Sequence, residues 1–156
     1  MHFWKAIIWN IWSEGRKMEF TALWDSVNLA SRLEWVNKFY WTYICVSEDV
    51  YNIEKNNFEF RYLDKIRVKW KQNSINIYEL ISLKWELNIE KQKILSKFDE
   101  AIELYKEMKF KDALEIFKEL YESWDKPSMT YKKRCEVYTK KHPNDSWDGV
   151  WTMNSK

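Results

Sequence analysis

Asn28 and Arg32 stand four residues apart in the stretch Phe20-Thr-Ala-Leu-Trp-Asp-Ser-Val-Asn-Leu-Ala-Ser-Arg-Leu-Glu34. On a helix that spacing puts both side chains on one face. A carboxamide can donate and accept a hydrogen bond, and a guanidinium forks onto phosphate oxygens. Held together on a rigid element, the two suit a phosphate ester with an attached sugar. Taken by itself, the spacing is more simply that of an amphipathic helix with a polar side.

The elements that must carry the pair can be read from periodicity. Residues 1–11 are apolar at Phe3, Ala6, Ile7, Ile8 and Ile11 and read as a strand. Residues 13–17 are a polar turn and 18–23 a second strand, antiparallel to the first if the turn is a hairpin. Residues 25–39 are the helix. Asp25 or Ser26 can cap it, and Val27, Leu29, Ala30 and Leu33 give it apolar neighbours. A short buried strand (43–46), a brief helix or turn (48–55), an alternating strand (58–69) and a last strand (75–81) follow. In the alternating strand Phe58, Phe60, Tyr62, Ile66 and Val68 mark one face. The layout is α+β, one antiparallel sheet with helices on a face.

Beyond residues 82–90 the period becomes helical. Phe98, Ile102, Tyr105 and Met108 mark one helix, and Phe110, Ala113, Leu114, Phe117, Leu120 and Tyr121 a second. Residues 108–111 are the corner between them, and a third helix over 128–140 could close a small core. A polar tail from Pro143 holds Trp147-Asp-Gly-Val-Trp151.

Composition bounds the function. The chain has 156 residues, 46% of them hydrophobic and 32% charged. That is one ordinary domain, or a small domain with an extension. A net charge of +2 is too small to imply nucleic acid as a partner. No run approaches the ~18 apolar residues of a membrane span, and the amino terminus lacks the layout of a signal peptide. Cys45 and Cys135 show no metal spacing and read as reduced thiols in a cytoplasmic protein.

The stretch from Phe20 to Glu34 resembles the late catalytic segment of the class III nucleotide cyclases, the adenylate and guanylate cyclase family. So do Glu14-Gly15-Arg16 before it and Tyr40-Trp-Thr-Tyr-Ile-Cys-Val-Ser-Glu48 after it. The family writes T-x-x-G-D-x-V-N-L-A-S-R-L-E-G, then Y-G-T and V-S-E. Val68-Lys-Trp-Lys71 and residues 75–80 resemble its closing strands. The resemblance implies the second half of a ferredoxin-like cyclase sheet over residues 1–83, with a packed helix. An all-α extension over 84–156 would follow. In that extension Tyr105, Ala113 and Phe117 followed by Pro127 resemble a tetratricopeptide unit. The W-D-G-V motif resembles the tail of some bacterial adenylate cyclases.

The resemblance also implies chemistry. The family cyclises a nucleoside triphosphate: the ribose 3′-hydroxyl attacks the α-phosphorus and pyrophosphate leaves. Asn28 occupies the ribose-orienting position and Arg32 the position that stabilises the α-phosphoryl transition state. Lys69 matches the lysine that contacts the terminal phosphates. Thr21 occupies the base-selecting position, where a hydroxyl favours ATP over GTP. Two divalent ions, Mg or Mn, serve the family. Their aspartates lie upstream of the matched region, as does the lysine that reads the purine, so this chain is expected to hold no metal ligands. The expectation is a carboxyl-terminal fragment, inactive alone. It would act as a homodimer or by complementing an intact cyclase chain, because the family's sites lie between two chains. An upstream region could hold a sensor or anchor the parent to a membrane. The competing reading is a non-catalytic interaction module built on a degenerate cyclase half, with the helical tail as its binding surface. The joint presence of Thr21, Asn28, Arg32 and Lys69 favours the catalytic reading.

One departure from the pattern is systematic. The chain holds 11 Trp and 2 Gly, against an average Gly usage of about 7%. Trp9, Trp12, Trp24, Trp35, Trp41 and Trp70 stand where the cyclase pattern has Gly, as does Trp4, and Trp124 stands in a turn. Trp147 and Trp151 fit the tail pattern as they are. The expectation is that the first group are glycines in the cell, encoded by UGA codons that some bacterial lineages read as Gly.

Overall fold

The computed structural model describes residues 8–11, 19–22, 25–67, 74–144 and 146–152, with side chains described for 33–67, 74–144 and 146–150. Two short strands come first, β1 (Ile8–Ile11) and β2 (Glu19–Ala22). They pair antiparallel, Ile8 opposite Ala22 and Ile11 opposite Glu19, as the hairpin reading requires. The 16-residue helix α1 (Asp25–Tyr40) follows. Next come the short strand β3 (Cys45–Ser47), buried throughout, and helix α2 (Glu48–Glu54). The long strands β4 (Phe58–Arg67) and β5 (Ile75–Leu83) complete an antiparallel set. Three helices then run in sequence, α3 (Ile89–Lys106), α4 (Phe110–Glu122) and α5 (Lys126–Lys140). A two-residue strand, β6 (Trp151–Thr152), returns to pair parallel with β4. The larger sheet has the order β3-β5-β4-β6. The fold is α+β, as the sequence implies, but the expected single antiparallel sheet is corrected. The described strands form two sheets, β1 with β2 and the larger one, and β6 joins the larger one in parallel because it returns from the tail and not through a hairpin. The returning β6 carries no alternation that a sequence reading could use, because it is two residues long.

The faces of β4 differ from simple alternation. Arg61 and Leu63 are buried, and so are Asp64 and Ile66. Parity switches between 63 and 64, where the register with β5 shifts between Tyr62 and Asp64. An extra residue at a β-bulge turns the strand, so Asp64 and Ile66 join the face of Leu63. Phe60 and Tyr62 lie on the other face. There Tyr51 of α2 stacks on Tyr78 at 4.1 Å and meets Phe60 edge-on at 5.4 Å.

One core runs through the molecule. Leu33, Val36 and Tyr40 of α1 share a cluster with Leu63, Ile66 and Ile77 of the sheet. The same cluster takes in Phe98, Ile102 and Tyr105 of α3, Phe110 and Phe117 of α4, and Tyr131 and Cys135 of α5. Phe117 stacks on Tyr131 at 5.0 Å, and Phe98 meets both rings edge-on at 5.6 and 5.8 Å. The helical faces read from the sequence are therefore the buried ones, except that Tyr121, in the last turn of α4, is exposed, and α5 closes them. Asn88 caps α3 by accepting from Lys91 N–H at 2.8 Å.

Candidate functional site

The positions singled out by sequence fall on the first elements. Thr21 lies on β2, and Asn28 and Arg32 lie on α1, one turn apart on a single helix. Their side chains are outside the described ones, as are Lys69 and Trp24 altogether. The structure thus places Thr21, Asn28 and Arg32 on a strand and the helix that follows it.

The carboxyl-terminal end of α1 is held by buried polar contacts. Its carboxyl-terminal residue, Tyr40, is completely buried and donates its hydroxyl hydrogen to Asp64 Oδ2. Arg134 of α5 donates to the same Asp64 oxygen at 2.8 Å and to the Tyr40 hydroxyl oxygen at 2.7 Å. Thr130 donates to the Phe39 carbonyl at 3.3 Å, and Tyr131 to the Leu63 carbonyl at 2.5 Å. Burial and the neighbouring Asp64 carboxylate push the Tyr40 pKa well up, so it stays a neutral donor. For Arg134 burial pulls downward, but Asp64 and the surrounding tyrosines outweigh it and keep the guanidinium charged.

A second buried network ties the sheet to the α4–α5 corner. Arg61 of β4 donates through Nε to Glu79 Oε2 at 2.9 Å and through Nη1 to Asp125 Oδ1 at 2.6 Å. Ser128 donates to the other Asp125 oxygen at 2.6 Å. The Arg61 guanidinium also lies 4.7 Å from the centre of the Phe98 ring. Burial lowers its pKa, and the two carboxylates raise it by more, with a net rise. These five charged residues were not singled out from sequence. Little signal was present: Arg61 and Asp64 lie on a strand that also carries Glu59, Lys65 and Arg67, so nothing local marks the two as the buried charges.

A cavity of about 600 Å³ opens between β4, β5, α3 and the tail, lined in part by Tyr62, Lys65, Asn76, Tyr105, Lys106 and Trp147. Among the described residues no group of three or more His, Cys, Asp and Glu side chains is placed to hold a metal ion. Both cysteines are buried thiols outside any disulfide. No described helix is long and apolar enough to cross a membrane.

Two known proteins are similar in sequence. The terminal-differentiation specific adenylate cyclase of Dictyostelium discoideum is 36% identical over 137 residues, covering 84% of this chain and 6% of that protein. Adenylate cyclase 1 of Rhizobium meliloti is 32% identical over 83 residues, covering 53% of this chain and 12% of that protein. The chain thus spans a small part of the length of the curated relatives it matches. No protein-family model matches it, and no solved structure does. The similarity relates the chain to proteins named adenylate cyclase. The Dictyostelium match covers more of the chain than residues 1–83 supply, so it extends into the helical region.

Proposed function

We propose that this chain carries the transition-state half of a class III adenylate cyclase site. Residues 1–83 are the carboxyl-terminal half of the ferredoxin-like catalytic domain, and 84–156 a tetratricopeptide-like extension that collars it. The observation that carries the reading is the order Thr21, Asn28, Arg32 along β2 and α1, in a chain similar to two proteins named adenylate cyclase.

In this reading the substrate is ATP. Asn28 orients the ribose so that its 3′-hydroxyl faces the α-phosphorus. Arg32 stabilises the charge that builds on the α-phosphoryl oxygens as pyrophosphate leaves. Its planar fork matters there, and a lysine would supply only a point charge. Thr21 meets the adenine amino group, and Lys69 meets the terminal phosphates. Mg or Mn ions, when bound, neutralise phosphate charge, and residues outside this chain would supply their ligands. The chain acts in a homodimer or with an intact cyclase chain, across an interface that brings the two halves of the site together.

Reconstitution tests this. The chain alone is expected to make no cyclic AMP with Mg²⁺ or Mn²⁺. Mixed with a cyclase chain that keeps its metal-binding half but lacks its own Asn–Arg pair, it is expected to restore cyclic AMP formation from ATP. Activity from the chain alone, or none from any mixture, would sink the proposal.

A further inference from the structure

Three helices of this chain end in the same backbone device. Thr42 N–H donates to the Asn37 carbonyl at 3.0 Å, Lys109 N–H to that of Leu104 at 2.9 Å, and Asp125 N–H to that of Leu120 at 3.0 Å. Each bond reaches back five residues over the end of its helix, the Schellman geometry. It requires the residue just before the donor to take a positive φ. Those residues are Trp41 at 59°, Met108 at 59° and Trp124 at 66°.

Glycine is the usual occupant of such a position, because a Cβ there crowds the backbone. Met108 offsets the strain by packing its side chain against the core. The two indoles do not. Trp41 is 56% exposed and Trp124 is 87% exposed, so each combines a strained backbone with a largely unburied side chain. The chain meanwhile has 11 Trp and 2 Gly. Of those two glycines, Gly149 also sits at positive φ, 73°. Residues that tolerate this conformation are scarce where the fold demands them, and tryptophan stands in their place.

We propose that positions 41 and 124 are glycine in the protein as its own cell makes it, encoded by UGA that the cell decodes as glycine. Geometry sorts Trp147 and Trp35 differently. Trp147 packs against Tyr105, Tyr138 and Phe110 with ring centres 5.2 to 5.6 Å apart, and it is tryptophan. Trp35 stacks on Phe39 within α1 at 5.6 Å and has no positive φ to relieve. A surface consequence follows. The groove of about 350 Å³ bordered by Trp41, Tyr121, Trp124, Lys126 and Met129 owes two of its walls to these rings. In the glycine form it is open surface and not an aromatic docking site.

Peptide sequencing by mass spectrometry of the protein purified from its own cells decides the matter. Glycine at 41 and 124, with tryptophan at 147, is the expected result. Tryptophan at 41 or at 124, or glycine at 147, overturns it. A second measurement needs only recombinant protein. W41G and W124G are each expected to raise the thermal midpoint by roughly 2–4 °C relative to the tryptophan form. An unchanged or lowered midpoint for either contradicts the strain argument.

Discussion

At the scale of single residues, the buried charges dominate. Arg134 is shared by Asp64 and Tyr40, and Arg61 by Glu79 and Asp125, all away from water. Removing one partner strands the other, which costs about 3–5 kcal/mol. R134M is therefore expected to lose about that much stability in urea unfolding, and R134M/D64L much less. Arg67 and Asp148 form a similar pair at 2.9 Å on the surface. R67A is expected to cost under about 1 kcal/mol. Equal losses for R134M and R67A would contradict the assignment of burial. The thiols add a pH dependence. Burial pushes Cys45 and Cys135 up to about 12. An unfolded thiol loses its proton near ~8.5, so above that pH the unfolded chain binds fewer protons than the folded one. Stability should then fall as pH rises toward 12, by up to ~1.4 kcal/mol per pH unit per thiol. Urea midpoints between pH 8 and 10 check this, and a C45A/C135A chain should flatten that part of the curve.

At the scale of elements, the helices were legible because burial repeats with their period. Phe98, Ile102 and Tyr105, and then Phe110, Ala113 and Phe117, are the residues the core takes. The strands were legible in position but not in facing. The bulge after Tyr62 reverses which of β4's residues point at the helices, and nothing local in the sequence marks it. Strand β6 was missed because its two residues gain order only from β4 beside them. Of the site, the order of Thr21, Asn28 and Arg32 was legible, and their elements are those read from periodicity. The clamp on α1 was not, because Asp64 and Arg134 are 70 residues apart in the chain. The elements of residues 84–156 supply one wall of the shared core. F117A removes the ring stacked on Tyr131 and should cost about 3–5 kcal/mol by urea denaturation. A chain ending at Leu83 would expose Tyr40, Leu63 and Ile66, and is expected to lack a cooperative thermal transition. A sharp transition for that truncated chain would mean that residues 1–83 fold without the extension.

At the scale of the whole molecule, the sheet and the helical region share one hydrophobic cluster and two buried ion networks. The similarity to the Dictyostelium protein likewise crosses from one to the other. Both observations suit an extension that braces α1, the helix bearing Asn28 and Arg32, through Tyr40. The central claim is that α1 delivers Arg32 to a phosphoryl transition state. The most direct test is steady-state cyclic AMP formation by the reconstituted pair with R32A and R32K in this chain. The account predicts that R32A lowers kcat by ~10²–10³-fold with KM for ATP little changed, and that lysine restores only part of it. Unchanged kcat in R32A, or a loss confined to KM, would contradict it.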